Sequence, residues 1–196
     1  MQINPSITEA ELSEKKKNLP ILLFITLILL GIMITLDRHL ASFSSTPEKY
    51  GIVSLELART PQKANAIIDS WGNNGKGIAL FSLGLDYLFI AAYTATLWLF
   101  CRFFAQSLRE KNEFLSKTGN FLSWLVILAG ILDVIENQLL LIMLLSEPSD
   151  MATATATLAA SGKFALLFIT GIYLFACIVA VILYTCCGAP PEKRAT

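Results

Sequence analysis

Hydrophobic positions fall into four long runs, and polar residues are concentrated between them. The runs cover residues 19–36, about 78–101, 121–145 and about 158–184. Each reaches the ~18 consecutive apolar residues that mark a helix able to cross a bilayer. Backbone polar groups in lipid must be satisfied within their own segment, which favours helices over open strands. The pattern therefore predicts an all-α integral membrane protein, an antiparallel four-helix transmembrane bundle with an interfacial helix between spans 1 and 2. One four-span domain covers residues 19–187, flanked by a mobile cytoplasmic tail at 1–18 and a disordered tail at 188–196. Within the first tail, SITEAELSEKKK has the composition of a short surface helix.

The longest stretch outside the runs is 37–77. Thr60-Pro61 resembles an N-cap followed by proline at the first helical position. Ala64, Ile67, Ile68 and Trp71 then recur at helical spacing, and Gly72 with Asn73-Asn74-Gly75 ends the pattern. An apolar stripe ending in Trp suits a helix lying at the membrane interface. The segment is either a connector resting on the bilayer or a lid over one end of the bundle. Residues 50–58, which mix apolar side chains with Glu56, suggest a second short helix of the same kind.

Composition agrees with a membrane protein. Of 196 residues, 55% are hydrophobic and mean hydropathy is +0.61, beyond the range of ordinary soluble domains. Fifteen basic and fifteen acidic residues balance, and no basic aromatic patch points to a nucleic-acid partner. The first run is too long for a signal-peptide core and lacks a following small-residue cleavage site. Lys15–Lys17, the group Arg102, Arg109, Lys111 and Lys117, and Lys193-Arg194 place both termini in the cytoplasm by the positive-inside tendency. The plan is similar in shape to many small bacterial four-span proteins and suits a bacterial inner membrane.

Candidate chemistry lies inside the apolar runs. Asp86 interrupts the second, and Asp133, Glu136 and Asn137 interrupt the third. Ionisable groups near a bilayer centre are costly, and they usually face the bundle interior and mark function. Asp133, Glu136, Asn137 and Leu140 share one helix face; Asp86, Ile90, Tyr93 and Leu97 share another. Asp86 and Glu136 lie at similar depth, roughly 12–14 Å below the outer boundary, so the two faces should meet. Lys163, Arg38 or His39 could neutralise Asp86 or Glu136. The ligand-binding set expected is Asp86, Tyr93, Asp133, Glu136, Asn137 and Lys163. The bland alternative is a polar network that only ties helices together.

Other chemistry is weakly signalled. A lone histidine excludes bis-histidine haem, no HExxH motif appears, and no metal or cofactor is expected. The cysteines, Cys101, Cys177, Cys186 and Cys187, form no CxxC pair, so the comparison with membrane disulfide oxidoreductases fails. Gly84, Gly130 and the stretch 153–162 offer small residues for close helix approach, and Thr94 and Thr96 are candidate interhelical hydrogen bonders. No phosphate-binding loop, nucleophile elbow or internal repeat occurs. The leading expectation is binding or transport of a small amphiphile, lipid or cation through an outward-facing polar pocket. The expected partners are the lipid bilayer, that ligand and a second copy of the chain. The alternatives are an intramembrane enzyme using a protonated carboxyl as general acid, or an assembly subunit of a membrane complex.

Overall fold

A computed structural model describes the backbone of residues 5–186 and the side chains of 18–185. Over that range the chain forms five helices: α1 Pro5–Phe43, α2 Ile52–Glu56, α3 Pro61–Ser107, α4 Glu113–Leu145 and α5 Asp150–Cys186. Four of them, all but α2, are long and apolar enough to cross a membrane. The segment SITEAELSEKKK falls within α1; the tail at 188–196 lies outside the described residues.

Local signals explain most boundaries. The Thr60 hydroxyl accepts from the Lys63 amide and Pro61 occupies the first turn of α3. Asn112 caps α4 by accepting from the Leu115 amide at 3.0 Å, with Glu113 favourably placed in the first turn. Ser149 does the same for α5, accepting from the Ala152 amide at 3.2 Å.

The region around Gly72 departs from the sequence expectation. Only Gly72 leaves helical geometry, with φ 60° and ψ −171°, a region essentially restricted to glycine. Helix resumes through Asn73, Asn74 and Gly75 and continues into the second apolar run, so segment 61–71 and that run form one kinked element. Gly75 has a steric reason to be there. A Cβ on it would stand 2.6 Å from Trp71 Cβ and 3.2 Å from Phe43 Cβ.

The apolar stripe of 61–71 is covered by protein. Ala64, Ile67, Ile68 and Trp71 are buried in a core with Leu40 of α1, Leu55 of α2, Leu140 of α4 and Ala156 of α5. Trp71 Nε1 donates to the Tyr50 carbonyl at 2.7 Å. The face that the sequence assigned to the bilayer surface thus rests on the bundle end.

Helix α3 is the central element. It packs on α1 along one side and α4 on the other, and α4 in turn packs on α5. Among the described residues, no Cα of α1 comes within 8 Å of α4 or α5. The bundle is therefore open along the α1–α5 side. Away from α2, a second core of Cys101, Phe104, Leu122, Val126, Tyr173 and Cys177 joins α3, α4 and α5 without α1.

Candidate functional site

The two polar helix faces do meet. Asp133, Glu136, Asn137 and Leu140 are all buried on α4, and Ile90 and Tyr93 are buried opposite them on α3. The Tyr93 hydroxyl donates to Asp133 Oδ2 at 2.7 Å. Lys163, reaching in from α5, donates to Asp133 Oδ1 at 2.7 Å and lies 2.8 Å from Glu136 Oε2. Both oxygens of Asp133 are thus engaged, and the carboxylate is fixed from two helices.

A third acid reaches the same ammonium. Glu56 Oε2 of α2 lies 3.7 Å from Lys163 Nζ, and Glu56 is only 8% exposed. The sequence places Glu56 in a short interfacial helix and not among the site residues. The available signal was its register: Ile52, Leu55 and Glu56 follow i, i+3, i+4 on one face of α2, and all three are buried. Burial pushes the Glu56 carboxyl above its ordinary range, with Lys163 opposing the shift.

The short α2 is held at both ends. Asp37 Oδ1 of α1 accepts from the Ile52 amide at 2.6 Å, supplying the cap that Gly51 cannot. A side chain at Gly51 would collide with the Asp37 carboxylate. At the other end, Thr157 of α5 donates to the Glu56 carbonyl at 3.0 Å and accepts from the Arg59 amide at 3.2 Å. These contacts strap α2 across the gap between α1 and α5.

The remaining candidates separate by role. Asn137 donates to the Leu83 carbonyl at 3.0 Å, a tie between α4 and α3. Asp86 is partly exposed and, among the described residues, has no hydrogen bond or ion pair. Arg38 and His39 form no ion pair with Asp86 or Glu136; the counter-charge to Glu136 is Lys163. Thr96 shares a buried 2.8 Å hydrogen bond with Thr26 of α1, whereas Thr94 packs against Gly130. Cys101 and Cys177 are buried in the second core.

A cavity of about 750 Å³ connects these groups to the open side. The charged and phenolic groups on its wall are Asp37, Arg38, Glu56, Asp86, Tyr93, Asp133 and Lys163, and apart from the hydroxyls of Thr26, Ser82 and Thr96 the rest of the wall is apolar. Glu136 is not part of the wall; it backs Lys163 from behind. Lys163 sits where the acids converge, the position that a bound cation would otherwise take. Among the described residues, no group of three or more His, Cys, Asp or Glu is arranged to hold a metal. No protein-family model, curated protein or solved structure matches the chain.

Chemically, the site offers one ammonium and an excess of carboxylate in low-dielectric surroundings. Both Asp133 oxygens already accept, one from Tyr93 and one from Lys163. Asp86, on the same wall, has no hydrogen bond among the described residues. Glu56 Oε2 is buried and accepts no hydrogen bond. Its charge partner is the Lys163 ammonium, 3.7 Å away.

Proposed function

We propose that this chain is an integral membrane protein that binds a small amphiphile in the cavity between α1 and α5. The observation that carries the reading is a largely apolar cavity of about 750 Å³ whose wall also holds Asp37, Arg38, Glu56, Asp86, Asp133 and Lys163. Sites for small molecules have this form, mostly apolar walls with a few convergent polar groups. Both termini lie in the cytoplasm, and the α2 end faces outward, on the charge distribution of the flanking segments. The polar end then takes a headgroup near the outer side, and the apolar part takes the hydrophobic body. Binding serves transport or presentation of the amphiphile.

The test is native mass spectrometry of the protein released from mild detergent, beside Asp86→Asn. Asp86 suits the comparison because no structural hydrogen bond depends on it. A bound species of defined mass in wild type, lost from the folded variant, supports the pocket. An empty chain in both cases removes it. General acid catalysis on a lipid-like substrate is the second reading, favoured by the buried Glu56 carboxyl on the cavity wall. It requires turnover in detergent without any gradient.

A further inference from the structure

Two charges on the cavity wall stand without partners, and they are of opposite sign. The other wall charges are engaged within the protein. Asp37 accepts from the Ile52 amide at 2.6 Å. Asp133 accepts from Tyr93 and Lys163, and the Lys163 ammonium is shared with Glu56 and Glu136. Arg38 and Asp86 line the same cavity, and among the described residues neither makes a hydrogen bond or an ion pair, with each other or with any other group. Arg38 is exposed and Asp86 half-buried, so both are open to a ligand.

Helix register orders the two along the cavity. Thr26, Leu30, Ile34 and Arg38 recur at every fourth position of α1, and all line the wall. Helices α1 and α3 run antiparallel, with Thr26 against Thr96 and Phe43 against Gly75. Between those contacts Asp86 falls opposite Ile34, one helical turn or about 5 Å from Arg38. Arg38 lies on the α2 side of Asp86. On the other side the lining continues through Leu97, Phe100 and Phe104 of α3 and Leu174 of α5, all apolar.

The order along the wall is therefore apolar surface, carboxylate, guanidinium. A simple cation would satisfy Asp86 and leave the guanidinium without an acceptor; a simple anion would do the reverse. A phosphate or carboxylate matches a guanidinium fork, and an ammonium supplies N–H donors to a carboxylate. Charge favours a cation over a neutral donor beside Asp86, because the neighbouring cluster has three carboxylates to one ammonium. We infer that the cavity binds a zwitterionic amphiphile whose ammonium lies between its apolar body and its anionic tip, the ammonium on Asp86 and the anion on Arg38. This inference rests on the amphiphile reading above and narrows it to a ligand class.

The test uses the full chain in mild detergent with N-hexadecylglycine, hexadecyl phosphoethanolamine, hexadecylamine and hexadecanoate at equal micellar mole fraction. Native mass spectrometry reads the adducts. In N-hexadecylglycine the amine adjoins the chain and the carboxylate is terminal; in hexadecyl phosphoethanolamine the order of charges is reversed. N-hexadecylglycine should be retained about tenfold over the other three, the scale of one hydrogen bond to a charged group. Arg38→Gln should bring hexadecylamine level with it, and Asp86→Asn should bring hexadecanoate level with it. Neither substitution removes a hydrogen bond or ion pair within the described residues.

Hexadecylamine or hexadecanoate held as tightly by the wild type overturns the zwitterion. Hexadecyl phosphoethanolamine held as tightly overturns the order of charges. Preferences unchanged in the folded variants overturn the assignment to Arg38 and Asp86. A co-purified amphiphile lacking either charge overturns the inference as well. In all these cases the cavity still holds an amphiphile, and the broader reading stands. Wild type that retains none of the four and carries no co-purified amphiphile fails that reading too.

Discussion

At the α2 end, five helices converge on one core; at the remote end, three helices close without α1. The first core draws Leu40 from α1, Leu55 from α2, Trp71 and Leu83 from α3, Met143 from α4 and Ala156 from α5. The second is Cys101 and Phe104, Leu122 and Val126, and Tyr173 and Cys177. Among the described residues, the buried ion pairs lie toward α2. Between lipid and protein there is little hydrophobic driving force, so helices join by close packing and polar ties. The α2 end uses polar ties. The remote end uses close packing, with α1 fastened there by the Thr26–Thr96 bond. That difference leaves the wall beside α1 open.

The sharpest way to break the contrast is to remove Lys163. Lys163→Met leaves Asp133, Glu136 and Glu56 without their counter-charge. Stripping one partner from a buried ion pair costs about 3–5 kcal/mol. The expected outcome is a large loss of thermal stability in detergent. Adding Asp133→Asn and Glu136→Gln to the same chain should recover part of it. A single Lys163→Met that melts like wild type would mean the cluster bears no structural load.

The remote end is expected to fail through sterics. A Cβ on Gly119 would strike the Tyr173 hydroxyl and lie 2.9 Å from the Cys101 carbonyl oxygen. Backbone cannot step aside as a side chain can, so Gly119→Ala should cost about 1–3 kcal/mol. Gly84, on α3, has nothing within 4 Å of its would-be Cβ. Gly84→Ala should be neutral, or stabilising by up to about 1 kcal/mol from helix propensity. Equal melts for the two variants would contradict the tight approach of α4 to α5 and α3 at Gly119.

A smaller effect tests the strap. Thr157→Val removes the hydroxyl that serves both the Glu56 carbonyl and the Arg59 amide. Each such bond is worth about 1 kcal/mol net. Amide exchange should quicken across α2 while the second core keeps its protection. Uniform loss of protection would show that the two ends do not open separately.

Much of this architecture is legible in the sequence because bilayer length and apolar composition leave few alternatives. The four long helices follow from the runs, and the meeting of the Asp133 and Tyr93 faces follows from helical periodicity. Gly72 was legible as a break. That helix would resume at once through Asn73-Asn74-Gly75 was not, because the packing of Gly75 on Trp71 and Phe43 overrides local turn preference. The partners of Lys163 are three-dimensional facts. One long side chain can reach several carboxylates, and spacing along α5 does not choose among them. The short helix at Glu56 was legible, but its place in the site was not, because a five-residue helix outside the apolar runs carries too little periodicity to show which face is buried.

Glu56 also provides the mildest perturbation, through pH. Burial raises its carboxyl pKa; Lys163 and a hydrogen bond with Glu136 oppose the rise, and the charges of Asp133 and Asp37 add to it. An acid whose pKa is higher in the folded than in the unfolded chain contributes stability that is fully present below the unfolded value, about 4.3 for Glu. That contribution is lost as pH climbs through the folded value. Exchange protection of the α2 amides, normalised to free-peptide rates, should therefore decline as pH is raised from the unfolded carboxylate range toward neutrality. Glu56→Gln, neutral throughout, should flatten the decline. Protection that instead strengthens with pH would mean that Lys163 holds Glu56 as a carboxylate. The α2 strap would then be fastened by an ion pair, like the rest of the cluster beneath it.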